Sequence, residues 1–140
     1  MNPAFHTETH RVARKRHTCT ECHGHIEPGE RYEYVSGLWE GDVSTYKTCG
    51  HCEAARDFYV NDLNSTDFRE SEWGAFCYGD VCCDLQEAAS DMPSGSGLKF
   101  RAYRHVVGMR RRGNAAREER NAALMLVCQQ RDAAPLERAQ

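Results

Sequence analysis

Four of the eight cysteines in this chain form two Cys-x-x-Cys pairs, Cys19 with Cys22 and Cys49 with Cys52. Each pair brings two sulfur atoms to one side of the backbone, so two pairs can supply four thiolates to a single ion. Four thiolates match the tetrahedral coordination of Zn²⁺ in structural sites, where no position is left for water. The spacing therefore predicts one structural zinc ion held by these four residues.

Disulfide bonds and a second metal site are less favoured roles for the cysteines. Eight cysteines could form a disulfide framework, but residues 1–16 contain no apolar signal core, which favours reduced thiolates and a cytoplasmic protein. No stretch is apolar enough to predict a membrane span. Cys77, Cys82 and Cys83 would form a second metal site only if residues 78–80 made a turn. On a continuous helix they diverge, so packing in the core is the favoured interpretation.

The residues between the two pairs predict the elements that position the sulfurs. Residues 31–36 alternate like a half-buried strand, residues 37–42 are typical of a hairpin loop, and residues 43–48 predict the return strand. Apolar residues at helical spacing follow the second pair. We therefore expect a helix that carries the last two ligands in its first turn.

This order of knuckle, hairpin and helix resembles the treble-clef zinc fold. Small uncharacterised proteins of bacteriophages and mobile elements look similar, with the same two pairs, a segment like Ile26-x-x-Gly29-x-x-Tyr32 and a loop bearing a tryptophan, here Trp39. The resemblance covers about half of the chain. It implies a treble-clef-like zinc unit at residues 17–64. Because apolar residues recur at helical spacing in the later residues, we expect an α+β fold in which an α-helical C-terminal half follows this unit.

Changes in charge, together with residues that interrupt helices, divide the chain into segments. The predicted segments are a basic arm (residues 1–16), the zinc unit (17–64), an acidic amphipathic helix packing on it (65–91), a linker (92–98), a basic helix and an apolar helix (99–131), and a frayed tail (132–140). Residues 1–9 show no periodicity, which predicts a loose start. Gly79 is the weak point of the acidic helix, and Gly113-Asn114 predicts a stop between the last two helices.

The formal net charge of -3 hides a separation of signs. Residues 53–91 carry ten acidic and two basic side chains, whereas residues 99–120 carry eight basic and two acidic ones. Separated faces of this kind suit electrostatic docking. They favour a non-enzymatic adaptor or inhibitor that binds a host protein or nucleoprotein, and the phage resemblance implies a regulator or anti-defence factor. The residues expected to contact the partner are Trp39, Asp80, Asp84 and Glu87.

A nucleic-acid-binding protein is the alternative, because clustered Arg and Lys neutralise phosphates. The residues expected to bind nucleic acid in that case are Arg14, Lys15, Arg16, Arg101, Arg104, Arg111 and Arg112. The acidic overall balance argues against it. The apolar run at residues 122–128 predicts either an internal core or the seam of a homodimer. An enzyme is not expected, because the chain lacks nucleotide-binding and hydrolase motifs and its predicted zinc shell is closed.

Overall fold

The computed structural model describes residues 5–63 and 76–138, with side chains to residue 133. The strands are β1 (Phe5–Val12), β2 (His17–Thr18), β3 (His25–Ile26), β4 (Arg31–Trp39) and β5 (Asp42–Cys49). The helices are α1 (Gly50–Phe58), which runs into a π-helical turn (Tyr59–Leu63), α2 (Val81–Ser90) and α3 (Gly97–Arg138). This small antiparallel sheet followed by helices confirms the predicted α+β class.

The sheet is three-stranded and antiparallel, in the order β1-β4-β5. Strands β4 and β5 are joined by a two-residue turn in which Glu40 and Gly41 have φ values of 51° and 87°. Positive φ at both positions is the backbone of a type I′ turn, whose twist matches that of the flanking strands. Strands β2 and β3 form a separate two-stranded pair around the first cysteines.

Strand β1 corrects the prediction that the first nine residues are loose. It pairs along its whole length with β4, from Phe5 opposite Leu38 to Val12 opposite Arg31. All eight of its side chains are exposed. A strand with no buried face has no alternation of apolar and polar residues, so the sequence pattern could not reveal it.

The helices also differ from the predicted boundaries. Gly79 has a φ of +94° and lies in a turn, so α2 begins at Val81; the predicted helical residues 65–75 lie outside the described part. The stop at Gly113-Asn114 is wrong, because α3 runs without a break from Gly97 to Arg138. The predicted frayed tail is therefore helical as far as that residue.

The core lies where the cysteine-bearing segments, α1, α2 and the first half of α3 meet. Its largest fully buried members include Ile26 from β3, Val81 and Leu85 from α2, and Val106 and Met109 from α3. The four paired cysteines belong to the same cluster. Packing of α2 and α3 against this centre thus fixes the surroundings of the sulfurs.

Candidate metal centre

The first pair lies in a tight knuckle between β2 and β3. The backbone N–H of Cys19 donates to the carbonyl of Gly24 at 2.9 Å, and the N–H of His23 donates to the carbonyl of Cys19 at 3.0 Å. His23 has a φ of 61°, a left-handed conformation that reverses the chain after Cys22. The knuckle therefore turns both side chains of the pair toward the core, where both are buried.

The second pair joins the sheet to the helix. Cys49 ends β5 and occupies the N-cap position of α1, in an extended conformation, and Cys52 lies in the first turn. Together with the knuckle this gives the predicted order of knuckle, hairpin and helix. The sulfur atoms of all four cysteines lie within 4.8 Å of one another, and all four residues are buried.

The donors around the sulfurs fit a metal-bound thiolate cluster. The N–H of Gly24 donates to the sulfur of Cys22 at 3.3 Å, and the N–H of Cys49 donates to the sulfur of Cys19 at 3.4 Å. Bonds of this kind orient thiolate ligands and stabilise their charge. Hydrogen bonding with Cys19 holds the pKa of Cys22 far below its usual range and raises that of Cys52 far above it. Four thiols this close cannot all ionise unless a cation balances them, so the residues fit one bound metal ion.

Helix α3 closes the cluster from outside the two motifs. It crosses the knuckle at Gly113, where a Cβ atom would lie 2.4 Å from the carbonyl oxygen of Cys22. On the preceding residue, Arg112, the guanidinium donates to the sulfur of Cys52 at 3.7 Å. The glycine predicted to end the helix therefore allows close contact, and an arginine predicted to bind nucleic acid lies against the thiolates.

Glu21, between Cys19 and Cys22, makes a connection that the sequence does not predict. Its buried carboxylate accepts hydrogen bonds from the backbone N–H groups of Gly79, at 2.8 Å, and Val81, at 3.2 Å. Burial raises the pKa of Glu21, while the two backbone donors act against that shift. The carboxylate satisfies an N–H group at the start of α2 and so ties this helix to the knuckle.

A buried ion pair supports the sheet beside the cluster. Arg56 of α1 donates to both carboxylate oxygens of Glu33 on β4, at 2.8 and 2.5 Å, and these side chains are only 8% and 5% exposed. Glu33 also lies within metal-ligand distance of His10 and Glu53. Arg56 already occupies both oxygens of Glu33, and His10 contacts Glu53 at 2.6 Å, so this second group is satisfied internally.

The predicted alternative cysteine site does not form. Residues 78–80 do contain a turn, yet among the described residues Cys77, Cys82 and Cys83 are not part of any potential metal-ligand group. Cys77 and Cys83 are exposed and only Cys82 is half-buried. The prediction that these cysteines pack in the core is therefore wrong for the two exposed thiols. Cys77 lies before the turn at Gly79 and outside α2, and Cys83 lies on the exposed face of α2.

Trp39, expected to contact a partner, is half-buried in an aromatic cluster within the chain. Its indole lies edge-on to Tyr46, with ring centroids 5.4 Å apart, and to Tyr78 at 6.2 Å. Tyr46 and Tyr78 stack in parallel at 4.5 Å, and burial raises the pKa of Tyr78 to about 12. The cluster connects the end of the hairpin to the segment before α2, so much of the Trp39 surface is used internally.

The predicted acidic residues lie along α2, from its N-cap residue Asp80 to Glu87 in its second half. Asp80 and Glu87 are exposed, and Asp84 is half-buried. Burial raises the pKa of Asp84, and the negative charges of Asp80 and Glu87 raise it further. No hydrogen-bond or ion-pair partner for these three carboxylates occurs among residues 5–63 and 76–133.

The predicted basic residues separate into paired and unpaired groups. Arg16 forms ion pairs with Glu27 and Glu119, Arg101 pairs with Asp62, and Arg112 contacts the cysteine cluster. Of the predicted residues, those without a hydrogen-bond or ion-pair partner in the described part of the chain are Arg14, Lys15, Arg104 and Arg111, all of them exposed. Within the predicted set, only this second group offers free positive charge at the surface.

Comparisons with protein families, with curated proteins and with solved structures find no match to this chain. In the part that the structure describes, none of the helices combines the length and the apolar character that crossing a bilayer requires.

Proposed function

We propose that the four-cysteine cluster binds one structural Zn²⁺ ion, and that the protein is a non-enzymatic binding protein built around it. Four soft sulfur ligands in a buried, closed cluster are the donor set that zinc takes in structural sites. With four protein ligands, no coordination position would remain for substrate or water. The ion would then supply folding free energy rather than chemistry.

We further propose that the exposed half of α3, residues 117–133, docks on another protein. Every side chain in this half is exposed, including the consecutive residues Leu124, Met125, Leu126 and Val127 at 62%, 62%, 59% and 44%. Consecutive large apolar side chains on one exposed helix mark an interaction surface rather than ordinary solvent contact. This observation carries the proposal.

A deep apolar groove on the partner would suit this helix, because consecutive side chains are rotated by about 100° and the apolar run therefore faces more than one side. Charged residues border the apolar run on both sides, with Arg117, Glu118, Glu119 and Arg120 before it and Arg131 and Asp132 after it. These would fix the register of the helix in a groove with polar ends. The unpaired carboxylates of α2 would attract a basic rim on the same partner.

Site-specific crosslinking tests this function. A photoreactive residue at position 125 should crosslink to one discrete partner in cells, and the same residue at position 111, on the packed half of α3, should not. Leu124→Asp with Leu126→Asp should abolish the crosslink without unfolding the chain. Crosslinks that join two copies of this chain through position 125, together with a dimeric mass in solution, would contradict a foreign partner and assign the surface to a homodimer.

Nucleic-acid binding is a second candidate, favoured by a basic cleft at the end of β1. The cleft has a volume of about 870 Å³ and is lined by Arg11, Arg14, Lys15 and His17, with Tyr32 beside them. Binding of labelled DNA or RNA that falls steeply with salt would support it. Arg14→Gln with Lys15→Gln should then weaken binding strongly, whereas Arg120→Gln on the exposed half of α3 should not. Equal losses in both variants would contradict a specific cleft.

A further inference from the structure

A second cleft lies between the first turn of α1 and the packed half of α3. It has a volume of about 380 Å³, and its lining includes Gly50 and His51 from α1 and Arg101, Arg104 and Arg112 from α3. Among the described residues that line it, none is acidic. Its size is that of a cleft for a small ligand, and its charge is uniformly neutral or positive.

The three arginines project from one side of α3 because they are spaced by three and then eight residues. Gly108 lies between them and leaves the floor of the cleft without a side chain; a Cβ atom there would meet the guanidinium of Arg112 at 3.2 Å. Arg101 is held by Asp62 at 3.3 Å and lies 4.6 Å above the ring of Phe58. Two of the three guanidinium groups are therefore positioned before any ligand arrives.

The cleft also contains donors that lack an acceptor. The Nε atom of Arg112 is buried and has no hydrogen-bond partner within the described part of the chain, and Arg104 has no acidic partner there. A buried donor without an acceptor is costly, which points to an acceptor that arrives with a ligand. Burial lowers the pKa of His105, and the positive charges of Arg101, Arg104 and Arg112 lower it further, as expected in a positive field.

We propose that this cleft binds a phosphate group. Arginine forks match the oxygen atoms of phosphate, and the first turn of α1 adds the positive end of a helix to the same cleft. The ligand is either a small phosphorylated molecule or the terminal phosphate of a nucleic acid, since both present the same dianion. The proposal is independent of the docking helix, because residues 117–133 do not line the cleft.

Titration of the isotope-labelled, zinc-loaded full chain with inorganic phosphate tests the proposal. The amide signals of Gly50, His51 and Gly108 should shift saturably in the millimolar range, beyond any shift in chloride of equal ionic strength. Arg104→Gln should weaken binding about tenfold, the loss expected for one charge-assisted hydrogen bond. Arg111→Gln is the matched control: Arg111 is also exposed and unpaired in the described chain, but it lies outside the cleft, so binding should stay within about twofold.

Two further arms separate the sources of the phosphate. If a short oligonucleotide with a 5′-phosphate shifts the same amides, and its unphosphorylated form does not, the ligand is a nucleic-acid end. If only inorganic phosphate acts, the ligand is a small phosphorylated molecule. The absence of any phosphate-specific shift, or equal weakening by Arg104→Gln and Arg111→Gln, would overturn the proposal.

Discussion

The two halves of helix α3 contrast most sharply in this molecule. Its first half buries Ala102, Val106, Met109 and Ala116 against the core, while its second half exposes a denser run of larger apolar residues at 122–128. The buried residues are spaced so that they fall on one face, and that face meets the knuckle and α2. Burial on this helix thus follows the position of the neighbouring elements rather than the local density of apolar residues.

The contacts of the two halves differ in kind as well. Around residue 112 the helix touches the cysteine cluster and the knuckle backbone, through Arg112 and the missing side chain of Gly113. Beyond Ala116 no described side chain of the helix is buried, and Glu119 forms ion pairs with the exposed Arg16 at 2.7 Å and with the half-buried His25 at 3.3 Å. We therefore expect substitutions to lose their effect on stability from the cysteine cluster outward along α3.

The largest expected effect is at the cysteines. Cys52→Ser should release the metal and remove the cooperative unfolding transition of the elements packed around the cysteine cluster, because structural zinc contributes folding free energy directly. Cys128→Ser, on the exposed half of α3, is the matched control and should leave both unchanged. Thermal unfolding followed by circular dichroism would show the difference. A normal unfolding transition in the Cys52 variant would contradict a stabilising metal centre. It would also contradict the expectation that substitutions near the cysteine cluster cost more stability than those on the exposed half of α3.

The buried ion pair between Arg56 and Glu33 should have the next largest effect on stability. Arg56→Met leaves the Glu33 carboxylate buried without its partner, so it should lower the free energy of unfolding by about 3–5 kcal/mol. Arg101→Met breaks an exposed pair and should cost no more than about 1 kcal/mol. Chemical denaturation of both variants measures these values. Similar losses in the two would mean that the Arg56 pair is not buried as described.

Substitutions of two glycines in α3 should have smaller effects on stability, and the two effects should differ in direction. Gly113→Ala should destabilise the protein by about 1–3 kcal/mol, because its Cβ atom would clash with the Cys22 carbonyl. Gly108→Ala should be neutral or stabilise by up to about 1 kcal/mol, since alanine favours the helix and only the flexible end of Arg112 is near. If Gly113→Ala also stabilised, the helix would not pass close to the knuckle.

The smallest expected effect on stability lies in the exposed half of α3. Leu124→Ala should change the free energy of unfolding by less than about 0.5 kcal/mol, while Leu85→Ala in α2 should cost about 2–5 kcal/mol. Both changes remove the same side chain, so denaturation curves compare burial directly. A large loss for Leu124, growing with protein concentration, would indicate that a second copy covers this surface.

The cluster of four cysteines could be predicted from the sequence because each Cys-x-x-Cys pair depends on local spacing. The hairpin and α1 followed from alternation and helical periodicity for the same reason. Glu21, Arg112 and Gly113 could not be assigned their roles, because each contacts an element distant in the chain. Strand β1 could not be predicted, because an edge strand without a buried face carries no apolar signal. The sequence predicts a weak point at Gly79 but not the left-handed conformation of that residue.

Metal analysis combined with X-ray absorption spectroscopy on the purified full chain would show whether the four cysteines bind one zinc ion. We expect one zinc ion per chain, surrounded by four sulfur atoms at about 2.3 Å, and loss of that ion in Cys52→Ser. Nitrogen or oxygen in the first coordination shell, a second bound ion, or metal retained by the variant would contradict a single four-cysteine centre.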